Sequence, residues 1–284
     1  MNNRRNFLAG SAGAMGIGAL GAATLGTPLT ARPAAAQGTS AGTSTGTVPS
    51  PSPAASQRLV LPALPMPTLQ VNGHEEVFPV RRIYCVGRNY LAHVEELNHD
   101  TREAPFFFQK ARDMLVRTGG DVTYPSRTED YEHEVELVLA MKSGGMNIAP
   151  EGAMSHVYGY AVGLDMTRRD LQNRAQEKRQ PWEAGKSFDQ SAPCGPITPM
   201  GAAPMSQARI HLSVNGRTVT DGNIKDMIWN PAEIVAQLST LFAIAAGDLI
   251  YTGTPAGVGK VGPGDRLVAQ IDGLSDLDVR IVKG

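Results

Sequence analysis

Residues 134–140, Glu134-Val135-Glu136-Leu137-Val138-Leu139-Ala140, have the apolar pattern of a β-strand that opens with two acids. Side chains alternate between the two faces of a strand, so Glu134 and Glu136 point to the same side, about 7 Å apart. Like charges on a half-buried surface repel each other, and a divalent cation removes that repulsion because hard ions bind carboxylate oxygens. The pair therefore indicates a metal site, with a solvated strand face as the alternative.

A third acid ends the next apolar stretch. Asp165 directly follows residues 157–164, and we expect a short polar helix to begin beside it, with Thr167 as its cap and Asp170 at its third position. A carboxylate at this strand end is well placed as a third ligand. The candidate metal ligands are therefore Glu134, Glu136 and Asp165, for Mg²⁺ or Mn²⁺, with Ca²⁺ as a further option.

Two polar side chains on the expected helix are candidates for substrate binding. Arg169 and Gln172 are three residues apart, so they share a helix face and can reach toward whatever Asp165 binds. A metal beside a fixed cation indicates an anionic, oxygen-rich substrate such as a 2-oxo acid. The alternative is that both side chains are solvated on a polar helix.

Two later segments offer further polar groups. Lys186 lies in what we expect to be a loop of small residues, where it is either a surface lysine or a cation that stabilises developing negative charge. The segment Thr252-Gly253-Thr254-Pro255 follows an apolar strand and offers backbone N–H and hydroxyl donors to a carboxylate. It is not a phosphate loop, because the Gly-Lys-Ser/Thr element is missing.

A general base is expected near residue 90. His93 and Glu96 are three residues apart, so on one turn of helix the carboxylate can orient the imidazole, as a water-activating histidine requires. His99 and Glu95 form a competing pair that spacing alone leaves open.

Composition bounds the class of protein. The chain has 284 residues, 42% of them hydrophobic, with 31 Gly and 20 Pro, which suits one globular domain with many turns plus a tail. The net charge of −1 gives no electrostatic argument for nucleic acid or an anionic membrane as a partner. Cys85 and Cys194 lack the spacing of a zinc site, and they form either one disulfide or two buried thiols.

The N-terminal region is expected to lie outside the fold. Residues 1–36 resemble a twin-arginine export signal, with Arg4-Arg5 before a weakly apolar run and Ala34-Ala35-Ala36 as a cleavage site. The many glycines and Pro28 argue against a stable membrane anchor. We expect residues 37–57 to form a flexible linker, 58–79 a short extension of the fold and 80–284 the domain that carries the candidate catalytic residues. We expect a periplasmic or exported protein, or a cytoplasmic one if the signal is not functional.

Turn and cap signals predict a strand-dominated α+β fold. The pairs Asn72-Gly73 and Asn215-Gly216 predict hairpins, and residues 266–271 and 277–282 predict another around Asp272-Gly273. The segment Asn230-Pro231-Ala232-Glu233 predicts a helix start, followed by an apolar stripe of Ile234, Leu238 and Leu241.

Five motifs occur in a fixed order: Gly87-Arg88-Asn89-Tyr90, Glu134-x-Glu136, Leu164-Asp165-Met166-Thr167, Lys186-Ser187-Phe188 and Thr252-Gly253-Thr254-Pro255. In order and spacing they resemble the fumarylacetoacetate hydrolase family, and the match covers roughly residues 80 to 283. The stretch Phe106-Phe107-Phe108-Gln109-Lys110, residues 165–172 and Met227-Ile228-Trp229 look most like its fumarylpyruvate hydrolase and acylpyruvase members.

The resemblance implies a fold, an assembly and a site. The fold would be a mixed β-sandwich roll, usually a homodimer, with Mg²⁺ or Mn²⁺ on Glu134, Glu136 and Asp165. A His93–Glu96 dyad would lie on a short lid helix that orders over the substrate. Arg169, Gln172, Lys186 and Thr254 would line the substrate pocket. For a distal carboxylate of the substrate, Arg88, Arg112 and Arg179 are all candidates.

These expectations define an activity: metal-dependent hydrolysis of a carbon–carbon bond in a 2,4-dioxo acid, with fumarylpyruvate giving fumarate and pyruvate. His93, oriented by Glu96, would deprotonate the water that attacks the C4 carbonyl. Lys186, together with Gln172, would stabilise the resulting oxyanion. The alternatives are a 2-oxo acid decarboxylase of the oxaloacetate type, a hydroxymuconate-type isomerase, and a non-catalytic exported dicarboxylate-binding protein.

Overall fold

The computed structural model describes residues 59–90 and 104–284. The predicted export signal and linker lie outside these residues. So does the segment 91–103, which contains His93, Glu96 and the competing pair of Glu95 and His99.

Strands outnumber helices in the described part of the chain, which confirms the strand-dominated α+β class. The strands are β1 (Thr68–Gln70), β2 (Val77–Pro79), β3 (Arg82–Gly87), β4 (Phe106–Lys110), β5 (Leu115–Arg117), β6 (Asp121–Thr123), β7 (Tyr131–His133), β8 (Val135–Met141), β9 (Val157–Leu164), β10 (Thr167–Arg168), β11 (Ala192–Cys194), β12 (Thr198–Pro199), β13 (Arg209–Val214), β14 (Arg217–Asn223), β15 (Asp248–Tyr251), β16 (Gly259–Lys260), β17 (Arg266–Ile271) and β18 (Leu277–Val282). The helices are α1 (Pro150–Ala153), α2 (Arg169–Glu177), α3 (Glu183–Lys186) and α4 (Pro231–Leu241), with 3₁₀ turns at Arg112–Met114, Met154–His156 and Ile224–Asp226. Within these described residues, no helix has the length and apolar character needed to cross a membrane.

The strands form one large mixed sheet and three smaller sheets. The large sheet has the order β4-β3-β15-β8-β9-β11-β5, and β12 also pairs with β9. In it β15 is parallel to β3 and antiparallel to β8. A second sheet has the order β14-β13-β17-β18-β6, a third the order β10-β7-β16, and β1 pairs with β2.

The large sheet is buried on both faces. Leu137 and Leu139 of β8 belong to the main apolar cluster, which also includes buried residues of β13, β17, β18 and α4. Val138 and Ala140 point to the opposite face and pack in a second cluster with residues of β1 and β2. Burial on both faces explains why residues 135–141 read as a continuous apolar run.

The predicted hairpins are confirmed. Asn215 and Gly216 have φ angles of 53° and 80°, the left-handed conformation that a tight hairpin turn between β13 and β14 requires. Strands β17 and β18 pair antiparallel with the predicted bounds. The Asn72-Gly73 hairpin is confirmed by the antiparallel pairing of β1 with β2.

Helix α4 begins as predicted but carries a shorter apolar stripe. Asn230 accepts hydrogen bonds from the N–H groups of Ala232 and Glu233, and the Glu233 carboxylate accepts one from the Asn230 N–H. Ile234 and Leu238 are buried. Leu241 is 61% exposed, because the helix ends there, so its inclusion in the stripe was wrong.

Thr167 does not cap a helix, contrary to the prediction. It lies in β10, where it pairs with Glu132 of β7, and α2 begins two residues later at Arg169. This tertiary pairing extends the chain beyond the point where the local sequence favours a helix. Asp170 instead accepts hydrogen bonds from the Thr128 hydroxyl and the Glu129 N–H.

Both cysteines are buried free thiols, which settles the choice left open by the sequence. Burial raises the pKa of Cys194 to about 12, so this thiol stays protonated at neutral pH.

Candidate active site

The three predicted metal ligands meet where a pair of strands passes from one sheet to another. Strands β8 and β9 pair in the large sheet, and β7 and β10 pair in the three-stranded sheet. Glu134 lies between β7 and β8, and Asp165 lies between β9 and β10. The Asp165 N–H donates to the Glu134 carbonyl at 2.8 Å, which fixes the crossing point.

Glu134, Glu136 and Asp165 form a buried carboxylate triad. One oxygen from each lies within 4.8 Å of the others. Exposures of 7%, 1% and 1%, respectively, exclude the solvated strand face. Three convergent carboxylates are the donor set that hard divalent cations prefer, so the triad can hold such an ion.

Lys186 bridges two members of the triad. Its Nζ lies 2.7 Å from Glu134 Oε2, 2.8 Å from Asp165 Oδ2 and 2.7 Å from the Thr167 hydroxyl. Burial alone would lower the pKa of Lys186, but Asp165 and Glu134 raise it above its usual value, so the ammonium stays charged. The lysine lies on the short helix α3 and is 2% exposed, so the expectation of a loop was wrong.

Lys110 is a second buried cation at the triad, and its role was not predicted from the sequence. Its Nζ lies 2.8 Å from Asp165 Oδ1 and donates to the carbonyls of Met166 and Lys186. A lysine at the end of the apolar strand β4 needs a buried acid as its partner. The sequence shows that need, but it does not identify Asp165 as the partner.

Arg169 holds Glu134 in place. Its Nε lies 2.6 Å from Glu132 Oε2, and its two terminal nitrogens donate to Glu134 and Gln172. The predicted shared face of Arg169 and Gln172 is therefore confirmed. Burial raises the pKa of a carboxyl group, but Lys186 and Arg169 outweigh it and hold the pKa of Glu134 well below its usual range.

Glu136 differs from its neighbours because no lysine or arginine contacts it among the described residues. Its Oε2 accepts a hydrogen bond of 2.7 Å from the Gly253 N–H. Burial raises the pKa of Glu136 well above 4.5, and the charges of Asp165 and Glu134 raise it further. Without a cation, the triad therefore favours a protonated Glu136.

Two of the donors of the Gly-Thr segment bind groups of the protein itself. The Gly253 N–H binds Glu136, and the Thr252 hydroxyl donates to the Leu137 carbonyl at 2.9 Å. The Thr254 hydroxyl is buried and has no partner among the described residues. Since buried hydroxyls are normally hydrogen-bonded, Thr254 is the group of this segment that is available to a ligand.

We expect the thermal stabilisation by Mn²⁺ to increase with pH. Below pH 4.5 the Glu136 carboxyl is neutral in both the folded and unfolded chains. As pH rises from 4.5 to its raised folded pKa, the metal-free protein loses stability, because the unfolded chain releases this proton while the folded chain still holds it. A bound cation reverses this loss, since it needs the ionised carboxylates.

The measurement is the difference in Tm between protein in Mn²⁺ and protein in a chelator, at about pH 6 and about pH 8.5. The difference should be larger at the higher pH. An equal difference at both values would contradict the assignment of Glu136 as a ligand.

A cleft of about 340 Å³ opens onto the triad. We call this cleft the acid cleft. It is lined by Glu132, Glu134, Glu136, Asp165, Arg169, Gln172, Lys186, Thr254, Arg88, Phe108 and Trp182, among others. Arg112 and Arg179 are exposed and do not line it, so of the three candidates for a distal carboxylate only Arg88 borders the cleft.

The charges of the site suit an anionic ligand once a cation is present. Four acids, Glu132 and the triad, are opposed by three buried or partly buried cations, Lys110, Arg169 and Lys186. A divalent cation and Arg88 at the wall would give the site a net positive charge, which favours binding of carboxylates.

Comparisons of sequence and of structure with known proteins agree on one family. The family described as fumarylacetoacetate (FAA) hydrolase C-terminal matches residues 82–282. The fumarylpyruvate hydrolase of a Ralstonia species is 44% identical over 179 residues, which are 63% of this chain and 93% of that protein. The crystal structure of fumarylpyruvate hydrolase from Pseudomonas aeruginosa with Mn²⁺ and pyruvate is 47% identical with a TM-score of 0.78, covering 80% of this chain and all of that one. The mitochondrial oxaloacetate tautomerase of Rattus norvegicus is 36% identical over 202 residues, which are 71% and 91% of the two chains.

Proposed function

Because the chain belongs to the fumarylacetoacetate hydrolase family, we propose that it is a metal-dependent hydrolase of 2,4-dioxo acids that converts fumarylpyruvate to fumarate and pyruvate. The observation that carries the proposal is the buried carboxylate triad at the base of a cleft, with the Lys186 ammonium beside it. Its fumarylpyruvate hydrolase relatives support the choice of substrate.

The triad would hold Mg²⁺ or Mn²⁺, and the bound ion supplies Lewis acidity toward the 2-oxo acid end of the substrate. The Pseudomonas structure is a complex with Mn²⁺ and pyruvate, which supports the choice of ion and of pyruvate as a product. Lys110 and Arg169 orient two of the ligands through their contacts with Asp165 and Glu134.

The chain's own groups would carry out the rest of the reaction. Lys186 presents a fixed positive charge to the cleft and stabilises the oxyanion that forms at C4 when water attacks. Gln172, held by Arg169, contributes a second polar contact. The buried Thr254 hydroxyl donates to a substrate carboxylate.

The base that activates the water would be His93, oriented by Glu96. This step is proposed from their spacing on one helical turn, since both residues lie outside the described part of the chain. The proton removed from water would pass to the carbon of the departing pyruvate enolate.

The test follows the loss of enol absorbance when purified protein is incubated with fumarylpyruvate and Mg²⁺. We expect turnover that a chelator stops, and a fall in kcat of at least about 10²-fold in His93→Ala, because general-base catalysis contributes that much or more. His99→Ala is the matched control and should keep wild-type turnover. The absence of turnover, or turnover that His93→Ala leaves intact, would refute the hydrolase mechanism.

Oxaloacetate is the second candidate substrate, and relatives named oxaloacetate tautomerase and oxaloacetate decarboxylase favour it. Chemistry on a 2-oxo acid of this kind needs the metal but no attacking water. Glu134→Ala should therefore abolish either activity, whereas His93→Ala should impair hydrolysis more severely than decarboxylation. Comparing the two variants on both substrates separates the functions.

A further inference from the structure

A second cavity of about 450 Å³ adjoins the acid cleft, and we call it the aromatic groove. Its walls are Phe106, Phe107, Phe108, Pro181 and Trp182, with Arg88 and Glu183 as its charged residues. Arg88, Phe108 and Trp182 line both cavities, so the groove continues the cleft away from the triad.

The aromatic walls are fixed by packing. The Trp182 ring meets the Phe106 ring edge to face, with centroids 5.1 Å apart and planes at 89°, and lies 6.1 Å from the Phe108 ring. Phe106 faces Gly87 across the β3–β4 pair, and a Cβ at Gly87 would lie 2.0 Å from the Phe106 ring. The groove therefore presents flat apolar surfaces in a defined place.

Arg88 stands at the junction of the two cavities. Its guanidinium carbon lies 5.8 Å from the centre of the Phe106 ring, and it makes no ion pair with an acid in the described part of the chain. Lys110, Arg169 and Lys186 all have acidic partners. Glu183 is exposed, and it is the only acid that lines the groove among the described residues.

The backbone beside Arg88 is also held. Arg88 has a φ of 57°, and the next side chain, Asn89, donates to the carbonyls of Trp229 and Thr252 at 2.9 and 2.8 Å. The side chain of Arg88 therefore extends from a fixed point of the backbone, so less backbone freedom is lost on ligand binding than with an arginine on a mobile loop.

We propose that the aromatic groove is a subsite for a planar, conjugated acyl chain and that Arg88 binds the carboxylate at the end of that chain. The orientation rests on the proposed function, in which the triad end of the cleft takes the 2-oxo acid. Aromatic faces pack against a flat unsaturated chain, and a guanidinium binds a carboxylate through two parallel hydrogen bonds. The site thus selects 2,4-dioxo acids that carry an unsaturated, carboxylated tail.

The test compares three substrates in the presence of Mg²⁺. Fumarylpyruvate has the conjugated tail and its carboxylate, crotonylpyruvate has a tail of the same length without the carboxylate, and acetylpyruvate has neither. In Arg88→Gln, the ratio of kcat/KM for fumarylpyruvate to that for crotonylpyruvate should fall by about 10- to 100-fold, because a charge-assisted hydrogen bond pair is lost. In Trp182→Leu, the ratio for crotonylpyruvate to acetylpyruvate should fall instead.

The matched control is Arg179→Gln, which removes an exposed arginine that also has a left-handed φ, 52°, but lies outside both cavities. It should keep the wild-type ratios. Arg88→Lys keeps the charge and serves if Arg88→Gln does not fold, with a smaller fall in the same ratio. Unchanged ratios in the Arg88 variants, or equal losses on all three substrates, would overturn the subsite.

Failure of the proposed function can be distinguished from failure of the subsite. A protein that hydrolyses none of the three acids contradicts the hydrolase, and the subsite is then judged by calorimetric Kd values for the same acids in Mn²⁺. Tighter binding of fumarylpyruvate than of crotonylpyruvate, lost in Arg88→Gln, supports the subsite. Equal or undetectable binding overturns it.

Discussion

Replacing Glu136 by glutamine is expected to reduce turnover by about 10⁴-fold and at the same time to stabilise the metal-free protein. Glu136 is buried and contacts no lysine or arginine among the described residues. Burial and the charges of Asp165 and Glu134 raise its pKa, so its ionised form opposes folding. Glutamine keeps the shape and the acceptor for the Gly253 N–H, removes the charge, and removes a metal ligand.

Glu134→Gln is the matched variant, and its effect on stability should have the opposite sign. Lys186 and Arg169 both depend on Glu134 as a partner. Its neutralisation removes one acidic partner from each of these cations, while Asp165 still contacts Lys186 and Glu132 still contacts Arg169, so the folded protein should lose stability. Both variants should lose turnover alike, because each removes one ligand from the triad.

The measurements are the affinity for Mn²⁺ by calorimetry and the Tm in a chelator. Both variants should bind Mn²⁺ far more weakly than the wild type. In the chelator, Glu136→Gln should melt above the wild type and Glu134→Gln below it. A lower Tm for both would show that Glu136 is a structural acid and not a ligand held ready for a cation.

Local sequence patterns were enough to predict the triad. Alternation along a strand places Glu134 and Glu136 on one side, and a strand end places Asp165. Helical spacing joined Arg169 to Gln172 in the same way. These relations are short in sequence, so their geometry follows from the backbone of a single element.

Relations between distant segments could not be predicted in this way. The contact of Lys110 with Asp165 joins two segments that are distant in sequence, and no periodicity encodes it. Thr167 was wrongly predicted to cap a helix for the same reason. Its pairing with β7, which places it in a strand, is also a contact between distant segments. The same limit also left three arginines equal as candidates for a distal carboxylate, until the lining of the acid cleft singled out Arg88.

Replacing Lys186 by methionine should lower kcat by about 10³-fold without weakening the binding of Mn²⁺. The ammonium lines the acid cleft, so its loss removes the charge that stabilises the oxyanion of the proposed reaction. It also contacts an oxygen of Glu134 and one of Asp165, and its removal leaves those oxygens more available to a cation. Affinity for Mn²⁺ should therefore be kept or increased while catalysis is lost.

Lys110→Met is the control. It separates the loss of a positive charge that lines the cleft from the loss of a buried positive charge that only stabilises the folded protein. Lys110 is as deeply buried and also contacts Asp165, but it does not line the acid cleft. Both variants should lower the Tm in a chelator, since each leaves Asp165 with one cation fewer. Only Lys186→Met should show the large fall in kcat at saturating Mn²⁺. Equal falls in the two variants would mean that Lys186 acts by orienting the ligands, and the oxyanion role would then have to pass to Gln172 or to the metal.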